Sequence, residues 1–210
     1  MITSVPELGY ERDVSQYTVQ GQRVVSVTEA LQIAGVINLS GIPVDFLDEA
    51  AKRGKAAHRG TMRLDLGQIE LEADEIKSVR GYCDAWLKFK AAVGFECLMI
   101  ETAVVSTPYR FAGTLDRFGY CIGHAVPYLI DLKCTASIAP WVGLQLAGYK
   151  RALIDMGWPL AAAAKRIAVR LLPDGRFVQH TFTSHSDEAD FLACVRIATW
   201  RLNHKEVCLP

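Results

Sequence analysis

Tyr128-Leu-Ile-Asp-Leu-Lys133 is an apolar hexapeptide of strand length that carries a carboxylate and an ammonium. Unpaired charge is costly to bury, so these two groups need partners. Alternate residues of a strand share a face, which puts Asp131 and Lys133 on one side and Ile130 and Leu132 on the other. One face is apolar and one is chemical. Upstream, Arg110-Phe-Ala-Gly-Thr-Leu-Asp-Arg-Phe118 repeats the pattern, with Phe111, Gly113 and Leu115 on one side and Asp116 on the other. If the two strands are neighbours, Asp116 and Asp131 converge on one divalent cation. Downstream, Gln145-Leu-Ala-Gly-Tyr149 sets Gln145 and Tyr149 one turn apart on a helix expected over 139–156, in one stripe with Trp141.

Outward from this centre the punctuation is regular. Short strands are expected at 17–19 and 23–25. Ser26-Val-Thr28 before Glu29 reads as a helix start, because a hydroxyl satisfies orphan amides and an acid suits the dipole; Gly35 ends that helix. A second helix starts near Pro43 and runs towards His58. A third, over 75–93, spaces Ile76, Val79, Cys83, Trp86, Leu87 and Phe89 helically and stops at Gly94. Strands at 97–105, 110–118 and 128–134 make an antiparallel meander. Segments 165–172 and 176–182 flank Pro173-Asp-Gly175 as a hairpin. Ser186, followed by Asp187 and Glu188, caps a last helix reaching about residue 204. The five acids between Asp65 and Glu75 read as a solvated loop or helix start.

The 210 residues are enough for one sizeable core, and one domain over 1–210 is expected. Lys plus Arg equals Asp plus Glu at 23 each, so any polyanion site must be a local patch. Residues 52–63 supply one, with five Lys or Arg and no acid; a solvated basic face is the alternative meaning. The cysteines at 83, 97, 121, 134, 194 and 208 have no metal-ligand spacing and read as free thiols in a reducing compartment. No apolar run approaches a membrane span, and a cytoplasmic protein is expected.

The ordered set Gly113-Thr-Leu-Asp116, Asp131-Leu-Lys133 and Gln145 to Tyr149 resembles the successive motifs of the PD-(D/E)xK nuclease superfamily, in its RecB-like and phage-exonuclease-like branch. Gly54-Lys-Ala-Ala-His58 is similar to that branch's early-helix histidine setting, and Glu101 resembles the acid that often precedes the Gly-x-x-Asp motif. The resemblance runs from about residue 26 to 172. It implies an α/β, restriction-endonuclease-like core, a central mixed β-sheet flanked by helices. It also implies a DNA nuclease, an exonuclease acting at ends in recombination or repair, dependent on Mg2+ or Mn2+. No iron-sulfur cluster is expected. A homo-oligomer, or a separate strand-annealing or helicase partner, fits such an enzyme.

In that reading Asp116, Asp131, the Leu132 carbonyl and His58 hold metal, Lys133 orients the attacking water and stabilises developing charge, and Glu101 completes the acidic set. Gln145 and Tyr149 buttress the metal site or touch phosphate, while Arg53, Lys55 and Arg59 contact the DNA backbone. Hard divalent ions favour such carboxylate and carbonyl donors. Each residue also has a plainer meaning. Asp131 and Lys133 make a surface ion pair on an edge strand, Asp116 a turn salt bridge with Arg117, His58 a surface or packing histidine, and Trp141 a core residue. A catalytically silent nucleic-acid-binding module, or a structural protein, remains the alternative function. Cys134 stands directly after Lys133, where the family often has Thr or Ser, which leaves any hydroxyl role there open.

Overall fold

The computed structural model describes residues 8–11, 16–71 and 73–204; Glu72 of the acidic run and Cys208 lie outside them. A mixed β-sheet forms the centre, with strand order β1-β2-β3-β5-β6-β7-β8 and β4 also paired to β5. The strands are β1 (Leu8–Glu11), β2 (Gln16–Val19), β3 (Gln22–Ser26), β4 (Phe95–Ser106), β5 (Phe111–Cys121), β6 (Tyr128–Lys133), β7 (Lys165–Leu171) and β8 (Phe177–Phe182). Helices α1 (Val27–Ile33), α2 (Val44–Asp65), α3 (Arg80–Val93), α4 (Val142–Asp155) and α5 (Asp187–Asn203) flank it. The β3–β5 and β6–β7 pairs are parallel and the others antiparallel.

β5 organises the sheet. One of its edges pairs with β4 from end to end. The other is divided: β3 takes Phe111 and Ala112, and β6 takes Arg117, Phe118 and Gly119. Residues 113–116 are left without a strand partner on that edge, and Asp116 sits in the opening.

Helices cover both faces. Leu31, Phe111, Leu115, Phe118, Leu129, Leu146, Leu153 and Phe191 fill the α1/α4/α5 side. Trp86, Phe89, Phe95, Ile130, Leu132, Ile167 and Val169 fill the α2/α3 side. A strand sandwiched this way is buried on both faces, so β6 has an apolar face on each side. Its chemistry is confined to its C-terminal end, where Asp131 is only 2% exposed. That corrects the expectation of one wholly chemical face and excludes the surface ion pair.

Most element boundaries fall where the residues place them. Ser26 and Glu29 form a reciprocal capping box at α1. Gly94 ends α3 in the left-handed conformation at φ +61. Segment 75–93 begins as a 3-10 turn, Asp74–Val79, before α3 proper. α2 continues past His58 to Asp65 because Ala57, Gly60 and Thr61 bury against its neighbours. Two further expectations are corrected. Asp65 is no solvated acid, since its carboxylate is buried among Arg117, Lys90 and Trp86. Ser186 precedes α5 without capping it through its side chain; its hydroxyl meets that of Ser184, while buried Asp187 accepts from Arg166 at 2.7 Å.

Gly113 carries the closest packing beside the opening. A Cβ there would lie 2.7 Å from Tyr149 Cε1 and 3.2 Å from Val27 Cγ2. A rigid ring cannot retreat cheaply, so Gly113→Ala is expected to destabilise the protein by about 1–3 kcal/mol, read as a lowered midpoint in urea. Among the described residues, no helix is long and apolar enough to cross a membrane, and Cys83, Cys97, Cys121, Cys134 and Cys194 are free. Burial pushes the Cys83 and Cys97 thiols up to about 11, which keeps them protonated and inert.

Candidate metal centre

Where β5 and β6 part, the Leu132 amide has no strand carbonyl to meet. It donates instead to Asp116 Oδ2, at 2.6 Å. This bond turns the carboxylate into the opening. Across it, α2 brings His58, whose Nδ1 lies 3.4 Å from Asp116 Oδ1 and 3.2 Å from Glu101 Oε1, and whose Nε2 lies 3.1 Å from the Leu132 carbonyl oxygen. Both ring nitrogens thus face acceptors, an arrangement that the doubly protonated imidazolium satisfies. Burial disfavours that charge, but Asp116 and Glu101 outweigh it and hold the His58 pKa well above its ordinary value. Burial likewise opposes ionisation of Asp116, yet His58, Lys133 and the Leu132 amide keep its pKa low.

One ligand atom each from His58, Glu101 and Asp116 lies within 4.8 Å of the others, close enough to share one cation. The Leu132 carbonyl lies at the other ring nitrogen of His58, 3.1 Å from Nε2. Glu101 reaches it from a distorted backbone: β4 shifts register between Cys97 and Met99, and Glu101 itself adopts φ +44, a left-handed conformation that L side chains avoid.

Asp131 stands beside the trio rather than within it. Its Oδ2 lies 2.7 Å from Lys133 Nζ but receives no aligned hydrogen bond. Burial pushes the Asp131 carboxyl up to about 6; Lys133 opposes the rise and Asp116 adds to it. Lys133 is held from three directions. It meets Asp131, donates to Gln145 Oε1 at 3.1 Å, and lies 5.4 Å from the centre of the Trp141 ring. Gln145 Nε2 in turn donates to the Tyr149 hydroxyl at 3.1 Å.

Gln145 and Tyr149 are therefore buried supports of the lysine and offer no open surface to a substrate. Trp141 belongs to the site as well as to the margin of the core. Arg53, Lys55 and Arg59 lie exposed on α2, outside the trio, although the charge of Arg53 is felt at Cys134. The Thr135 hydroxyl is engaged with the Ser137 carbonyl.

Arg117 is the residue that sequence reasoning missed. It is fully buried. It donates through Nε to Asp65 Oδ2 (2.7 Å), through Nη1 to Glu101 Oε1 (3.0 Å) and the Asp116 carbonyl oxygen (2.8 Å), and through Nη2 to Thr61 Oγ1 (3.0 Å). The expected salt bridge to the Asp116 carboxylate does not form. An arginine inside an otherwise apolar strand, with an unassigned acid upstream, was the available signal.

No family model and no curated protein matches the chain. Among solved structures it is similar to an alkaline exonuclease (LHK-Exo) from Laribacter hongkongensis, with 15% identity, a TM-score of 0.33, and coverage of 86% of this chain and 93% of that one.

Proposed function

We propose that the chain is a divalent-metal-dependent DNA nuclease of the PD-(D/E)xK superfamily, hydrolysing phosphodiester bonds at DNA ends as one domain. The observation that carries this reading is the convergence of His58, Glu101 and Asp116 at the unpaired stretch of β5, with Asp131 and Lys133 beside them. The donor set, mainly oxygen and partly anionic, suits Mg2+ or Mn2+. Asp116, Glu101 and a neutral His58 would hold the ion, with the Leu132 carbonyl and an ionised Asp131 bordering it. Bound there, it would polarise the scissile phosphate and supply hydroxide at neutral pH.

The protein's own groups do the rest. Lys133, fixed by Asp131, Gln145 and Trp141, presents an ammonium to the water and to the negative charge that grows on phosphorus-bound oxygen. His58 offsets carboxylate charge and, neutral, becomes a donor to the ion. Asp116 stays ionised because the Leu132 amide and His58 stabilise its charge. The exposed Arg53, Lys55 and Arg59 provide a short track for backbone phosphates.

The deciding experiment incubates the protein with end-labelled linear DNA and matched circular DNA in Mg2+, Mn2+ or EDTA. Loss of the linear form alone, only with metal, is the expected result. Cleavage of both forms would make the enzyme an endonuclease. Metal-independent binding without cleavage would replace this reading with a silent binding module.

A further inference from the structure

We propose that Arg117 is a positioning residue for the metal centre, acting through Glu101 and the β5 backbone; the inference rests on the nuclease reading above. Its guanidinium joins three elements at once: Thr61 and Asp65 on α2, Glu101 on β4, and the Asp116 carbonyl on β5. A planar fork of donors satisfies four acceptors in one orientation only, so their relative places are set together. Asp65 anchors the far side of the fork and is itself pinned by Trp86 Nε1 at 2.9 Å and Lys90 Nζ at 2.6 Å.

The near side acts on two groups of the metal trio. Arg117 engages Glu101 Oε1, holding in place a side chain whose backbone is in the disfavoured left-handed region. By fixing the Asp116 carbonyl it also fixes the strand from which the Asp116 carboxylate enters the opening. Lysine cannot reproduce this, because its donors radiate from one nitrogen on a flexible stem. Partners that orient metal ligands typically contribute about 10–100-fold in metal affinity.

Mn2+ alone is the probe, with free ion followed by electron paramagnetic resonance and no DNA present, beside thermal melts of the same samples. Arg117→Lys is expected to bind Mn2+ about 10–100-fold more weakly while still melting cooperatively. In a Glu101→Gln background the same change should cost less than it does in the wild type, because one of the two routes through which it acts has already been altered. A general loss of packing would not produce that non-additivity. Wild-type affinity in Arg117→Lys, or fully additive losses in the double variant, would overturn the proposal. Should Arg117→Lys fail to fold, Asp65→Asn loosens the far anchor and keeps an acceptor for the guanidinium. It should show a smaller loss with the same non-additivity, and wild-type affinity there would also overturn the proposal. If the wild-type chain takes up no Mn2+, the nuclease reading itself falls.

Discussion

Lys133→Met will lower DNA hydrolysis at saturating Mn2+ by about 10^3-fold. Methionine follows the lysine stem and keeps its packing against Trp141, so what is lost is the charge and its donors. The ammonium sits at the end of a relay running from Tyr149 through Gln145, which holds it at the mouth of the opening rather than letting it swing into solvent. Its contribution belongs to the transition state, where negative charge grows, so the loss should fall on kcat and spare KM. Single-turnover cleavage of end-labelled DNA at saturating Mn2+ separates the two. Retention of activity within about tenfold of wild type would remove Lys133 from the chemistry, because one well-placed donor contributes more than that.

Asp131→Asn will stabilise the metal-free protein at pH 8 by about 2 kcal/mol and leave it unchanged near pH 4. The folded protein raises the Asp131 carboxyl from 3.8 to about 6. A raised carboxyl pKa means that the fold favours the protonated form. Stability from this group is complete below 3.8 and is lost as pH rises through 6. At alkaline pH the ionised side chain therefore costs about 3 kcal/mol, and Asn avoids that cost while leaving Lys133 with less compensation. Urea denaturation in EDTA at the two pH values measures the difference. Excess Mn2+ should reverse the order, since a ligand that binds only the folded state stabilises whichever protein binds it more tightly. A variant less stable than wild type at pH 8 without metal would show that Lys133 more than offsets the burial of the charge.

Much of this arrangement is legible in the residues themselves. The apolar strand with charges at one end, the capping box at Ser26 and Glu29, the glycine stops at 35 and 94 and the Pro-Asp-Gly turn all depend on local rules, and local rules survive folding. Asp116, Asp131 and Lys133 were visible because charge in apolar surroundings demands a partner, and His58 because Gly54-Lys-Ala-Ala-His58 resembles a known early-helix setting. What sequence alone could not supply was which partner. Asp65 looked like one member of a solvated acidic run, and only the packing of α2 against β4 and β5 buries its carboxylate beneath Arg117. Glu101 looked ordinary because its place depends on a register shift and a left-handed residue. Trp141 read as core, since periodicity reports that a face is covered but not what covers it.

The divided edge of β5 also bears on how the molecule comes apart. The ribbon formed by β1, β2 and β3 joins the remaining strands through just two residue pairs, Val25 with Phe111 and Ser26 with Ala112, bridging a long separation in sequence. The β4–β5 hairpin closes from its own neighbourhood, whereas this seam requires the chain to return across some eighty-five residues, at an entropic cost that local pairing does not bear. The seam thus divides the sheet into two units of unequal cooperativity. Its release would detach one wall of the opening, including the Tyr17 hydroxyl on Thr114, while Glu101, Asp116 and Arg117 stay held by β4 and α2. Amide exchange in β2 and β3 should then be set by partial opening, and exchange in β5 by global unfolding, so that the boundary between a detachable wall and a fixed floor runs beside the candidate metal centre, whose residues all stand on the floor.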